Sequence, residues 1–271
     1  MSSLQDLKQI TDGLALSARM PVLFVGHGNP MNAIEHNEYH QQWATLGKAL
    51  PRPKAILCIS AHWQTNGTQV TMMEHPRTIH DFGGFPQELF NVQYPAAGNP
   101  ELAQQTRDLI RTHPVGADFN WGLDHGCWSV LSPMYPDASI PVIQLSLDLK
   151  MSPSQHYALA QELGALRSRG VLLMGSGNIV HNLRMVQWQE GAYDWAVEFD
   201  EQVKSLIEKG DDDSLIHYEK LGQAARLSVP TNEHYLPLLY ALALRDSKDR
   251  LEFFNAKTTM GSVSMRSMIF S

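Results

Sequence analysis

The run A-I-L-C-I-S-A-H-W, residues 55–63, decides how this chain folds. Its apolar start suits a strand covered on both faces, and a histidine, His62, stands where that strand would end. The run V-L-F-V-G-H-G-N-P, residues 22–30, repeats the pattern: a short apolar strand, then His27 between two glycines. In open α/β sheets the side chains that do chemistry stand just past the carboxyl ends of the strands. His27 and His62 are therefore candidates to converge on one metal ion.

Working outward, strands and helices alternate. Strands are expected over residues 22–25, 55–60, 69–73, 141–146 and 171–175, and helices over 38–50, 101–112, 153–169, 195–209, 215–221 and 236–245. Pro51 and Pro53 would close the first of these helices. Ser152-Pro153 reads as a cap followed by a proline in the first turn. Residues 75–100 form a long stretch rich in Gly, Pro and aromatic residues, expected as a packed loop near the site. Asp211, Asp212 and Asp213 read as a solvated turn, and residues 251–255 and 262–270 as strands with no helix between them. This order predicts one α/β domain: a central, mostly parallel but mixed sheet, helices on both faces, and an antiparallel edge near the C-terminus. Residues 1–19 read as an N-terminal extension with a short helix (Leu4, Leu7, Ile10 and Leu14 share a helical face), and residues 20–271 as the catalytic domain. A start at Met20 is an open alternative.

The formal net charge of -7 and the lack of a dense Lys/Arg cluster argue against a nucleic-acid partner. No apolar run reaches the length of a membrane span, and the first residues do not have the pattern of a secretory signal. Two cysteines make no disulfide framework, so a reducing cytoplasm is the expected compartment. Cys58 reads as packing; Cys127 is a weak candidate nucleophile. Length and composition leave the oligomeric state open.

Histidine is the unusual residue, with 12 in the chain, several beside Gly, Ser or Asn. Two imidazoles alone hold a catalytic ion poorly, so a third ligand is expected among His234, Glu233, His125 and His181. Three histidines also suit zinc, whereas two histidines and a carboxylate point to iron(II). His125, in the loop motif L-D-H-G-C-W-S, and His181, in G-S-G-N-I-V-H, are candidate proton-handling groups. Arg77 and Arg184 are candidate carboxylate clamps. A zinc hydrolase and a non-catalytic binding protein of the same fold are the rival readings.

Seven motifs together resemble one family: G-H-G-N-P, S-A-H-W, T-I-H-D-F-G-G-F-P-Q-E-L-F, Y-P-A-A-G, L-D-H-G-C-W, G-S-G-N-I-V-H-N and N-E-H-Y-L-P. The chain from Met20 onward is similar to the class III extradiol ring-cleaving dioxygenases, nearest their DOPA 4,5-dioxygenase branch. The resemblance implies His27, His62 and His234 as ligands of one divalent metal ion, with Glu233 a rival for the third place. It implies iron(II) for turnover, with zinc(II) able to bind. It implies His181 as the base and His125 as a partner of substrate or oxygen, a pocket-lining place for His80 and Asp81, and a catechol and O2 as substrates. For DOPA it implies 4,5-cleavage to a seco product that cyclises to betalamic acid.

Overall fold

A computed structural model describes residues 19–187 and 191–271; the helix expected within residues 1–19 lies outside the described residues. The strands are β1 (Val22–Gly26), β2 (Ala55–Ser60), β3 (Gln64–Thr65), β4 (Gln69–Thr71), β5 (Gly116–Asp118), β6 (Val142–Gln144), β7 (Leu147–Asp148), β8 (Val171–Gly177), β9 (Leu251–Phe254), β10 (Thr258–Thr259), β11 (Val263–Ser264) and β12 (Ser267–Phe270). Six of them form the central sheet in the order β6-β2-β8-β1-β12-β9. β6, β2, β8 and β1 run parallel, while β12 and β9 add an antiparallel edge. The expected fold class and edge are both present.

Strand side chains alternate between two cores. Val22, Phe24, Leu57, Ile59 and Leu173 face one side, where Leu159, Phe199, Val203 and Leu239 pack from the helices Pro153–Gln161, Asp194–Lys209 and Leu236–Ala243. Leu23, Val25, Ile56, Cys58 and Met174 face the other, under Trp43 and Leu46 of the helix Glu38–Ala49 and Trp128 and Leu131 of the helix His125–Met134. Burial on both faces explains why these strands read as unbroken apolar runs. Each fully buried large apolar side chain contributes about 1.5–3 kcal/mol.

Three local expectations need correction. The L-D-H-G-C-W-S motif is not a loop: it opens the helix His125–Met134, capped by Asp124, whose side chain accepts from the Cys127 backbone N–H. Nine of that helix's ten residues are buried, so it carries no amphipathic period for a sequence reading to find. The acidic run is not a bare turn, because Asp211 caps the short helix Asp212–Ile216 and accepts from Ser214 N and Oγ. The helix expected over 153–169 stops at Gln161 and resumes as a 3-10 turn, Gly164–Arg169. Gly164 weakens the continuation, and the buried Arg167 guanidinium reaches instead to Met20 O, Leu244 O and the Asp249 carboxylate. Two expectations at the same places hold: Ser152 and Gln155 form a reciprocal capping box, and Pro153 sits in the first turn.

What positions the site is the alignment of strand ends. Gly26 of β1 pairs with Gly177 of β8, and Ser60 of β2 pairs with Ser176. Three adjacent parallel strands thus end at one level, and His27 and His62 follow immediately. Gly28 takes φ +57, a left-handed conformation that turns the chain away after His27. Gly177 lets a separate segment approach: a Cβ there would lie 2.1 Å from the His234 carbonyl oxygen. That carbonyl accepts the Asn178 N–H at 2.8 Å, docking residue 234 against the end of β8.

Candidate active site

His27, His62 and His234 meet above the strand ends, with ring centroids 5.0, 5.3 and 5.0 Å apart for the pairs 27–62, 27–234 and 62–234. Their Nδ1 atoms all face oxygen. His27 Nδ1 donates to Ser176 Oγ at 3.0 Å, and that hydroxyl spends its own proton on the Gly126 carbonyl. His62 Nδ1 lies 3.2 Å from Asp81 Oδ2. His234 Nδ1 donates to Glu233 Oε1 at 3.1 Å. With the ring proton held at Nδ1 in each case, the three Nε2 lone pairs are left free.

Those lone pairs converge. His27 Nε2 and His62 Nε2 stand 3.1 Å apart, and His234 Nε2 is buried with no partner. Two nitrogens bound to one ion at about 2.1 Å, at angles between a right angle and a tetrahedral one, lie roughly 3.0–3.4 Å from each other. The donor set therefore fits one metal ion: three neutral imidazoles, each oriented through its second nitrogen, with ligand atoms within 4.8 Å of one another. Glu233 supports His234 from behind in this geometry, and its Oε1 also accepts from Thr231 Oγ1.

Burial first, then the neighbouring imidazoles, hold the His27 and His234 pKa values well below the ordinary histidine range. Burial and His125 take His62 down to about 3, with Asp81 pulling the other way. These rings are neutral at pH 7, the state in which imidazole is a ligand.

His181 and His125 flank the trio. The His181 ring stacks on His234, centroids 3.4 Å apart and planes 9° from parallel. Its pKa falls to about 4, from burial and then His125, so it is neutral at pH 7. The His125 ring lies 3.8 Å from that of His62. Asp81 ties these two together. Besides facing His62, its Oδ1 accepts the His125 backbone N–H at 2.9 Å and lies 3.0 Å from His125 Nδ1. Burial raises the Asp81 pKa, but His125 and His62 outweigh this and hold it low. A carboxylate at the N-terminus of the helix His125–Met134 is also favoured by the helix dipole.

A cavity of about 460 Å³ lies over the five histidines. Phe82 and Phe85 from the long aromatic loop line it, with Leu183, Val186, Met260 and Val263. The loop is thus packed at the site as expected, while His80 turns away and bonds to the Val92 carbonyl. Arg77 is exposed and bonds to the Trp121 carbonyl; Arg184 lines a separate cavity of about 200 Å³. Cys127 is fully buried and its thiol pKa is raised, chiefly by burial, so it has no nucleophile's environment. His156 is a core group bonded to Tyr240 Oη and the Asp148 carbonyl.

Reading the sequence left the bridging part of Asp81 unassigned and missed Ser176 altogether. Neither carries a local signal, since each meets its histidine only through the tertiary fold. Glu233, expected as a rival ligand, places its Oε1 3.1 Å from His234 Nδ1.

The family model described as "Catalytic LigB subunit of aromatic ring-opening dioxygenase" matches residues 15–269. The chain is 48% identical over 265 residues to the "4,5-DOPA dioxygenase extradiol" of Escherichia coli (strain K12), covering 96% of this chain and 97% of that one. It is 34% identical over 255 residues to the protein of the same name from Beta vulgaris, covering 92% and 95%. The crystal structure of an uncharacterized Escherichia coli K12 protein superposes with a TM-score of 0.82 at 43% identity, covering 93% of this chain and all of that one.

Proposed function

Because the chain belongs to the family of the catalytic LigB subunit of aromatic ring-opening dioxygenases, the class III extradiol enzymes, we propose that its five-histidine cavity opens the ring of a catechol with O2, DOPA being a first candidate substrate. The observation that carries this reading is the convergence of three oriented Nε2 lone pairs beneath a cavity large enough for a catechol.

The roles run as follows. His27, His62 and His234 would hold one divalent ion, iron(II) in the working enzyme and zinc(II) as a tight but inactive occupant. When bound, that ion supplies acidification of the diol hydroxyls and the redox link between ring and O2. His181 takes the proton released from a catechol hydroxyl, and its stacking on His234 keeps it beside the diol. His125, held through Asp81, hydrogen-bonds the oxygen atoms being added. Phe82 and Phe85 exclude water. The overall reaction balances as catechol plus O2: the carbon–carbon bond next to the diol breaks, and both oxygen atoms enter the product as a carboxyl and a carbonyl oxygen. With DOPA, 4,5-cleavage gives a seco product that closes to yellow betalamic acid.

The test is anaerobic loading with iron(II), then addition of O2 and a catechol. One O2 consumed per catechol and a yellow ring-opened product are expected, with the zinc(II) form inactive. Ester or amide hydrolysis independent of O2, with no catechol turnover, would overturn the assignment. The sequence-based expectation of a reducing cytoplasm joins this proposal, alongside the observation that no helix among the described residues is long and apolar enough to cross a membrane.

A further inference from the structure

A second cavity adjoins the catalytic one and carries charge of both signs. It holds about 200 Å³, with Asn182 and Arg184 on one side and Pro230, Thr231 and Glu233 on the other. His181 and Leu183 line both cavities, so they form the partition that a substrate side chain would cross. The two sides are fastened to each other. The His181 N–H donates to the Ser228 carbonyl at 2.9 Å, and Asn182 Nδ2 donates to the Leu227 carbonyl at 2.7 Å. Asn182 Oδ1 in turn accepts the Arg184 N–H at 3.2 Å, which anchors the exposed Arg184 at this margin.

The Glu233 side chain is 19% exposed. Its Oε1 takes the bonds from His234 Nδ1 and Thr231 Oγ1, and Oε2 is the oxygen outside those two bonds. A guanidinium on one side and a carboxylate oxygen on the other suit a group that carries both charges itself. A substrate carboxylate would meet the planar fork of Arg184, and an ammonium would meet Glu233. A substituent with one charge finds a partner on one side and a like charge on the other; an α-amino-acid group is matched on both.

We propose that this second cavity is a specificity subsite for the zwitterionic α-amino-acid end of the substrate, with Arg184 holding its carboxylate and Glu233 Oε2 its ammonium, an inference that rests on the ring-opening reading above.

The test compares 4-methylcatechol, dopamine, 3,4-dihydroxyphenylpropionate and DOPA in two ways: O2 uptake by the iron(II)-loaded full chain, and Kd from anaerobic titration of the zinc(II) form. The parent chain should favour DOPA over 4-methylcatechol by about tenfold or more in kcat/KM, the scale of a bidentate charged contact in a partly open site. Arg184→Met should remove most of that ratio, through KM and Kd rather than kcat. Arg184→Glu should go further and place dopamine above both carboxylate-bearing compounds, a change of order that general damage to the fold would not produce. A parent chain without preference for DOPA would overturn the proposal, as would an Arg184→Met variant that weakens all four compounds by the same factor. No O2 uptake with any compound would strike the ring-opening reading instead, and the Kd values alone would then decide the subsite.

Discussion

The floor and the wall of the cavity are built by opposite means. The floor is polar and heavily tied: each of the three candidate ligand histidines has one ring nitrogen against an oxygen, and two of the three, His27 and His62, stand just past sheet strands. The wall is apolar and comes from connecting segments, with Phe82 and Phe85 on one, Leu183 and Val186 on another, and Met260 and Val263 near the C-terminal strands. A metal centre needs fixed angles, which strand ends and hydrogen bonds provide. A substrate wall needs shape and dryness, which loops can vary without disturbing the sheet.

That contrast can be broken from the floor first. His27→Ala should remove a ligand and abolish turnover, with bound metal per chain, read by elemental analysis after dialysis, falling towards zero. His181→Ala should leave metal content and the melting curve intact while kcat falls by about 10²- to 10⁴-fold, the usual worth of a proton-transfer group. Equal loss of metal in that variant would make His181 a ligand rather than a base. Asp81→Asn offers one acceptor oxygen where two are used, so it should weaken metal binding by about 10- to 100-fold in a chelator competition. An unchanged affinity would mean that the His62–Asp81 contact does not orient the ligand. On the wall, Phe85→Ala should raise KM for an alkyl catechol several-fold and leave metal affinity alone; a metal defect there would erase the division between floor and wall.

The smallest effect lies outside both regions. Burial first, against the opposing pull of Asp148, lowers the His156 pKa to about 4 from the ordinary 6.5. The unfolded chain therefore binds this proton more readily than the folded one. The contribution of His156 to stability is complete above pH 6.5 and is lost as pH falls towards 4. The slope is at most about 1.4 kcal/mol per pH unit. Urea melts of metal-free protein across that window should show a shallower acid limb for His156→Gln than for the parent chain. Identical limbs would mean that His156 is protonated in the fold without cost.

Much of the fold was legible because the parallel strands are buried on both faces and so stand out as apolar runs ending in small residues and histidine. The helix His125–Met134 was not legible, since a segment buried all round has no period to betray it. The split of the expected 153–169 helix was equally hidden, because the partners of Arg167 lie at Met20, Leu244 and Asp249, far along the chain. Within the candidate site, the motifs pointed to His27, His62, His125, His181 and His234, and the structure brings these five to one cavity. How they are held could not.

The sequence by itself determined the alternation of strands and helices, the strand-end position of His27 and His62, and the family resemblance of the motifs, because these depend on local composition and order. Only the tertiary structure decided which ring nitrogen each histidine turns towards the centre, that Glu233 stands behind His234, and that Asp81 joins His62 to His125. Those outcomes depend on oxygen atoms brought within about 3 Å of the histidines by distant parts of the chain, such as Ser176 for His27 and Asp81 for His62 and His125. A hydrogen bond is decided at that range, and no local pattern in the sequence records it.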